Sequence, residues 1–81
     1  MSHQLKLYYY SGCIYCDKVF QYMDEHKIVI DSVDMMEDVS EMEVLTQIGG
    51  KAQAPCLVID GKPLYESDDI IQWLGENIVN G

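Results

Sequence analysis

Cys13 and Cys16 are the residues of this chain best equipped for chemistry, flanking Ile14-Tyr15 in a Cys-x-x-Cys unit directly after Ser11-Gly12. Residues three apart on a helix are neighbours, so these sulfurs can join with little backbone movement. The free N–H groups and the dipole at a helix mouth stabilise negative charge, which favours the thiolate of Cys13. Cys16, one turn deeper, keeps its proton and resolves the mixed disulfide that Cys13 forms. Lys18, in the first turn, adds positive potential. The chemistry this pair suits is thiol–disulfide exchange. A zinc site is the first competing reading, but the other ligand candidates, Cys56, His3 and His26, supply no second Cys-x-x-Cys and no His-x-x-x-His spacing. The second is a pair of core cysteines, which suits Cys16 better than a residue at a helix mouth.

The pair needs a strand before it and a helix after it. Leu5, Leu7 and Tyr9 alternate with Lys6, Tyr8 and Tyr10, a strand pattern. From Cys16 the period changes, and Cys16, Val19, Phe20 and Met23 form the inward stripe of a helix that runs to about His26. Ile28 to Val33 reads as a second strand. Ser40 with Glu43 is a capping-box pattern opening a helix with Met42, Leu45 and Ile48 inward, closed by Gly49-Gly50. Cys56-Leu57-Val58-Ile59 is a continuous apolar run, as in a strand covered on both faces. Asp60-Gly61 makes a hairpin turn, and Pro63 places the returning strand at a sheet edge. Ser67 caps a last helix that starts Asp68-Asp69 and packs through Ile70, Ile71, Leu74 and Ile78. The order β-α-β-α-β-β-α, with a right-handed parallel first unit, predicts an α/β thioredoxin-like fold: a four-stranded mixed sheet flanked by three helices.

The 81 residues suffice for one domain, and 48% hydrophobic residues argue against disorder. Five lysines, no arginine and fourteen acidic residues give a net charge of −9, which disfavours nucleic acid and anionic membranes as partners. The apolar runs fall far short of the roughly 20 residues that span a bilayer, and the N-terminus lacks a signal-peptide pattern. A cytoplasmic address is the expectation. Three cysteines, an odd count, speak against a closed disulfide framework.

Three ordered segments resemble the glutaredoxin family over nearly the full length of the chain. Cys13-Ile14-Tyr15-Cys16 is similar to its Cys-Pro-Tyr-Cys, and Gln53-Ala54-Pro55 to its Thr-Val-Pro. Glu66-Ser67-Asp68-Asp69 is similar to its last glutathione-binding element. The Glu-Ser form also resembles the glutathione site of transferase N-terminal domains, which share this fold. The resemblance implies that Pro55 is cis against the cysteines and that the backbone of Ala54, beside Gln53, pairs with a bound peptide. It further implies that Ser67 receives the α-carboxylate of a γ-glutamyl end, and that Asp68 or Glu66 pairs with the adjacent ammonium. Tyr15 would line the groove and Lys51 would reach the glycine carboxylate. A surface tyrosine, a solvated lysine and a plain helix cap are the ordinary alternatives for Tyr15, Lys51 and Ser67.

The activity implied is glutathione-dependent reduction of protein disulfides and glutathione mixed disulfides, by a monomer, with glutathione as co-substrate and no metal. The partners implied are glutathione and disulfide-containing or glutathionylated proteins. Two alternatives stand beside it. Two chains could share a [2Fe–2S] cluster through Cys13 thiolates and glutathione, as some relatives without the motif proline do, or a flavoprotein reductase could recycle the pair. The chain departs from the family at Ile14, which restores an N–H near the Cys13 sulfur, and at Tyr10, where many members carry lysine. Cys56 is expected to be a buried strand thiol.

Overall fold

The computed structural model describes residues 3–80. Its elements are β1 (Leu5–Tyr9), α1 (Ile14–Glu25), β2 (Asp31–Asp34), α2 (Val39–Gly49), β3 (Cys56–Ile59), β4 (Lys62–Tyr65) and α3 (Ser67–Leu74), the last continued by a π turn (Gly75–Val79). The sheet order is β2-β1-β3-β4, with β1 parallel to β2 and antiparallel to β3, and β3 antiparallel to β4. This is the predicted thioredoxin-like topology. No helix among the described residues is long and apolar enough to cross a membrane.

β1 and β3 are central, so both their faces are covered. On one face Leu7 and Leu57 pack with Val19 and Met23 of α1 and with Ile70 and Leu74 of α3. On the other, Tyr8, Cys56 and Val58 pack with Met35 and Leu45 of α2. Each fully buried leucine stabilises the fold by about 1.5–3 kcal/mol relative to an exposed one. Tyr8 is buried despite its polar position in the alternation. Its hydroxyl lies 3.5 Å from Glu41, whose carboxylate also accepts from Lys6 at 2.6 Å. The hairpin is as expected: Asp60 and Gly61 have φ 51° and 86°, and Pro63 lies on the edge strand opposite Val58.

Four features differ from the sequence expectation. β2 starts at Asp31, not Ile28, because Ile28 closes α1. Its N–H bonds Met23 O at 2.8 Å and that of Lys27, at φ 56°, bonds Asp24 O at 3.3 Å, a Schellman closure with lysine in the left-handed position. Val29 is consequently 96% exposed. The Ser40–Glu43 capping box does not form. Burying Met35 turns the chain early, and Asp38 becomes the N-cap residue, with Ser40 Oγ donating to its carboxylate. In α3 the N-cap is Glu66, at φ 72°, and Ser67 is the first helical residue rather than the cap. Finally, the π turn, in which Asn80 N–H bonds Gly75 O at 3.0 Å, displaces Ile78 from the buried stripe and leaves it 38% exposed.

Gly49 permits the closest approach. A Cβ there would run into the Tyr65 side chain, whose hydroxyl donates to Lys51 O at 2.9 Å. Gly49→Ala should therefore lower stability by about 1–3 kcal/mol, against the gain that alanine normally brings to a helix. A denaturant midpoint equal to or above wild type would contradict this contact.

Candidate active site

β1 and the Ser11-Gly12 turn deliver Cys13 to the N-cap of α1. Gly12 sits at φ 86°, where glycine fits without strain. Ser11 Oγ donates to Asp34 Oδ2 at 2.9 Å, tying the turn to the C-terminal end of the neighbouring parallel strand. Burial alone would raise the Asp34 carboxyl, but hydrogen bonds from Ser11 and from the Met36 and Glu37 N–H groups hold it below its ordinary value.

Cys13 Sγ accepts the Cys16 N–H at 3.2 Å, the capping bond that serine or aspartate usually makes. Desolvation pushes this thiol up. The Cys16 thiol, the Cys16 and Tyr15 N–H groups and the Tyr10 hydroxyl outweigh it, and the net shift is downward. Cys16 moves the other way, to about 12, because it is desolvated and its proton is held toward the Cys13 sulfur. The same hydrogen bond to Cys13 raises the Tyr10 phenol. A thiol shifted down at the helix mouth thus stands beside one shifted up. The backbone donors are at Tyr15 and Cys16, beyond Ile14, whose side chain is 72% exposed. Cys13 itself is only 4% exposed.

Next to the Cys13–Cys16 turn, Tyr15 contributes to a groove of about 410 Å3 lined also by Lys18, Gln53, Ala54, Pro55, Glu66, Ser67 and Asp68. Three segments far apart in sequence meet here: the first turn of α1, the loop before β3 and the start of α3. The Ala54–Pro55 bond is cis. Gln53 Nε2 donates to Glu66 Oε1 at 3.4 Å. Of the residues named from the sequence, Tyr15, Gln53, Ala54, Pro55, Glu66, Ser67 and Asp68 line this groove, while Cys13, Cys16 and Lys51 do not. The Lys51 ammonium lies 4.5 Å from the centre of the Tyr65 ring, a cation–π contact. Lys18, expected to act on Cys13, instead pairs with Asp68. Cys56 is fully buried and pushed up to about 11 by desolvation. No cluster of three or more metal-ligating side chains occurs among the described residues.

Sequence reasoning missed Asp34, the anchor of the Ser11 turn. An acid at the C-terminal end of a parallel strand, where sites of open α/β sheets gather, is the signal that could have found it.

A family model, "Glutathione S-transferase, N-terminal domain", matches residues 7–79. The chain belongs to the glutathione S-transferase N-terminal domain family. The glutaredoxin resemblance is therefore one side of a wider kinship. Solved structures similar to this transferase-type domain come from both groups. A diazinon-metabolizing glutathione S-transferase of the silkworm Bombyx mori has a TM-score of 0.78 at 22% identity, over 95% of this chain and 39% of its own. Oxidized glutaredoxin 2 of Chlamydomonas reinhardtii has a TM-score of 0.70 at 20% identity, over 96% of this chain and 77% of its own. A buckwheat glutaredoxin–glutathione complex has 0.72 at 18%, over 91% and 70%. At these identities the likeness is one of fold. The chain spans well under half of the silkworm transferase and about three quarters of these glutaredoxins. No curated protein matches the sequence.

Proposed function

We propose that this chain is a glutathione-dependent thiol–disulfide oxidoreductase that reduces glutathione mixed disulfides and protein disulfides. The observation that carries the reading is the placement of the cysteine pair: Cys13 caps α1, its sulfur accepting the Cys16 N–H at 3.2 Å, and Cys16 is buried one turn deeper, an arrangement that shifts Cys13 down and Cys16 up. A conjugating transferase activates the thiol of glutathione and needs no such pair in its own chain. Cys13 thiolate attacks the glutathione sulfur of a mixed disulfide, that S–S bond breaks, and the partner leaves as its thiolate. A second glutathione thiolate attacks the new Cys13–glutathione bond, giving glutathione disulfide and regenerating Cys13. With a protein disulfide, Cys13 attacks one sulfur and the other leaves as a thiolate; Cys16 then passes its proton to that thiolate and displaces the partner from Cys13, closing a Cys13–Cys16 bridge that two glutathiones reduce. In this reading Ala54, Gln53, Pro55 and Tyr15 flank the tripeptide, while Ser67, Glu66 and Asp68 face its γ-glutamyl end.

The test supplies reduced glutathione with a small glutathione mixed disulfide, coupled to glutathione reductase, and in parallel glutathione with an electrophilic chloronitroarene. Turnover is expected in the first assay. Conjugation of the arene without disulfide turnover would overturn the proposal.

A further inference from the structure

We infer that the outer face of α2 docks a basic segment of a protein substrate, with an apolar side chain of that segment seated between Val39, Met42 and Ala52. The inference rests on the oxidoreductase reading above and names the class of protein the site takes. Val39, Met42, Glu43 and Thr46 fall at i, i+3, i+4 and i+7 and so share one face of α2. With Ala52 of the loop before β3 they line a mostly apolar groove of about 370 Å3. Val39 is 65% exposed, and Met36 close by is 67% exposed. Clustered apolar surface with a polar rim marks a place where partners bind, and methionine adapts to varied ones.

Two connections tie this face to the cysteines. Asp34 accepts both Ser11 Oγ and the Met36 N–H, which fastens the approach to α2 to the turn that delivers Cys13. On the other side, Ala52 directly precedes Gln53-Ala54-Pro55, which line the groove beside Tyr15. A segment lying over α2 thus continues toward a disulfide at Cys13. Charge selects the occupant. No lysine falls between Lys27 and Lys51, a stretch that holds six of the fourteen acids. Glu37 and Asp38 adjoin Val39, and Glu43 lines the groove. None of these three pairs with a cation among the described residues, whereas Glu41 is taken by Lys6. Lys51, next to Ala52, lies over the Tyr65 ring. Such a rim repels glutathione, which carries two carboxylates and one ammonium, and attracts a peptide rich in lysine or arginine. The face therefore fits the protein half of a mixed disulfide, not its glutathione half.

The experiment measures kcat/KM, at fixed glutathione, for a short glutathionylated peptide with lysines and one leucine flanking its cysteine. Two counterparts carry glutamates for the lysines or serine for the leucine. Lysines also make the cysteine a better leaving group, so the readout is how each variant changes the ratio between peptides. Glu43→Lys should lower the lysine-to-glutamate ratio by about five-fold, the reach of one exposed charge pair. Val39→Ser should bring the leucine-to-serine ratio down to about one, as expected when the apolar anchor loses its seat. Either ratio staying within about two-fold of wild type overturns the docking site, while turnover of the small mixed disulfide leaves the oxidoreductase reading standing. A wild-type dimer that Val39→Ser splits would give the groove to a second copy of this chain and overturn the inference equally. No turnover of the small mixed disulfide by wild type overturns the oxidoreductase reading, and this inference with it.

Discussion

Cys13→Ser will lose disulfide turnover by about 10^3-fold or more, whereas Cys16→Ser will still deglutathionylate small mixed disulfides. The first result follows from bonding. The covalent intermediate is an S–S bond to residue 13, and serine can form none, so the remaining rate is that of glutathione attacking the substrate in solution. The second follows from how the two sulfurs are placed. Cys13 makes the first attack, and the released partner needs no second protein thiol when glutathione discharges the intermediate. Cys16→Ser also retains a hydroxyl in place of the thiol that donates to Cys13. Reduction of a protein disulfide that needs the Cys13–Cys16 bridge should fall in both variants. The assay is steady-state turnover of a small mixed disulfide and of a protein disulfide by both variants. Loss of both activities in Cys16→Ser would mean that glutathione does not discharge Cys13.

Much of the fold was legible because its signals are local. The β3 run, the Asp60-Gly61 turn and Pro63 at the edge all depend on backbone rules that hold wherever the residues occur. The start of β2 was not, because a left-handed Lys27 ends α1, and lysine gives no advance sign of that conformation. The α2 cap moved because Met35 had to be buried against Tyr8 and Leu45, a long-range requirement that overrode the Ser40–Glu43 pattern. The Ile78 position failed for a related reason. Helical periodicity assumes 3.6 residues per turn, and the π turn at Gly75 breaks it.

At the site, the residues whose chemistry is intrinsic were the readable ones. Cys13 and Cys16 announce themselves by type and spacing. The groove residues of the pre-β3 loop and the α3 start emerged only as ordered segments similar to a known family. The lysines were least readable. A long flexible cation takes whichever partner the fold brings near, so Lys51 lies over Tyr65 while Lys18 reaches Asp68 across two helices. Sequence distance from the cysteines pointed to neither partner.

Alkylation of the native, reduced protein should modify Cys13 alone at neutral pH, and its pH profile should lie below that of an ordinary thiol. Only thiolates react. Cys16, at about 12, is ionised to about one part in 10^5 at pH 7, and Cys56, at about 11, to about one in 10^4. An ordinary thiol is ionised to a few per cent there, about 10^3-fold more than Cys16, and the downward shift of Cys13 takes it further. The rate should rise with pH through the Cys13 pKa and then level off, because thiolate accumulates as the proton leaves. Lowering that pKa moves the curve toward acid. The donors fix how variants behave. Cys16→Ala removes a hydrogen bond to the Cys13 sulfur, so its midpoint should move toward higher pH. Tyr10→Phe, which removes the phenol donor, should move it the same way, while Cys16→Ser should move it least. Mass spectrometry after iodoacetamide pulses at a series of pH values reads all four proteins. Modification of Cys56 at a rate comparable to Cys13, or a wild-type midpoint at the value of a free thiol, would show that the helix mouth does not hold the charge.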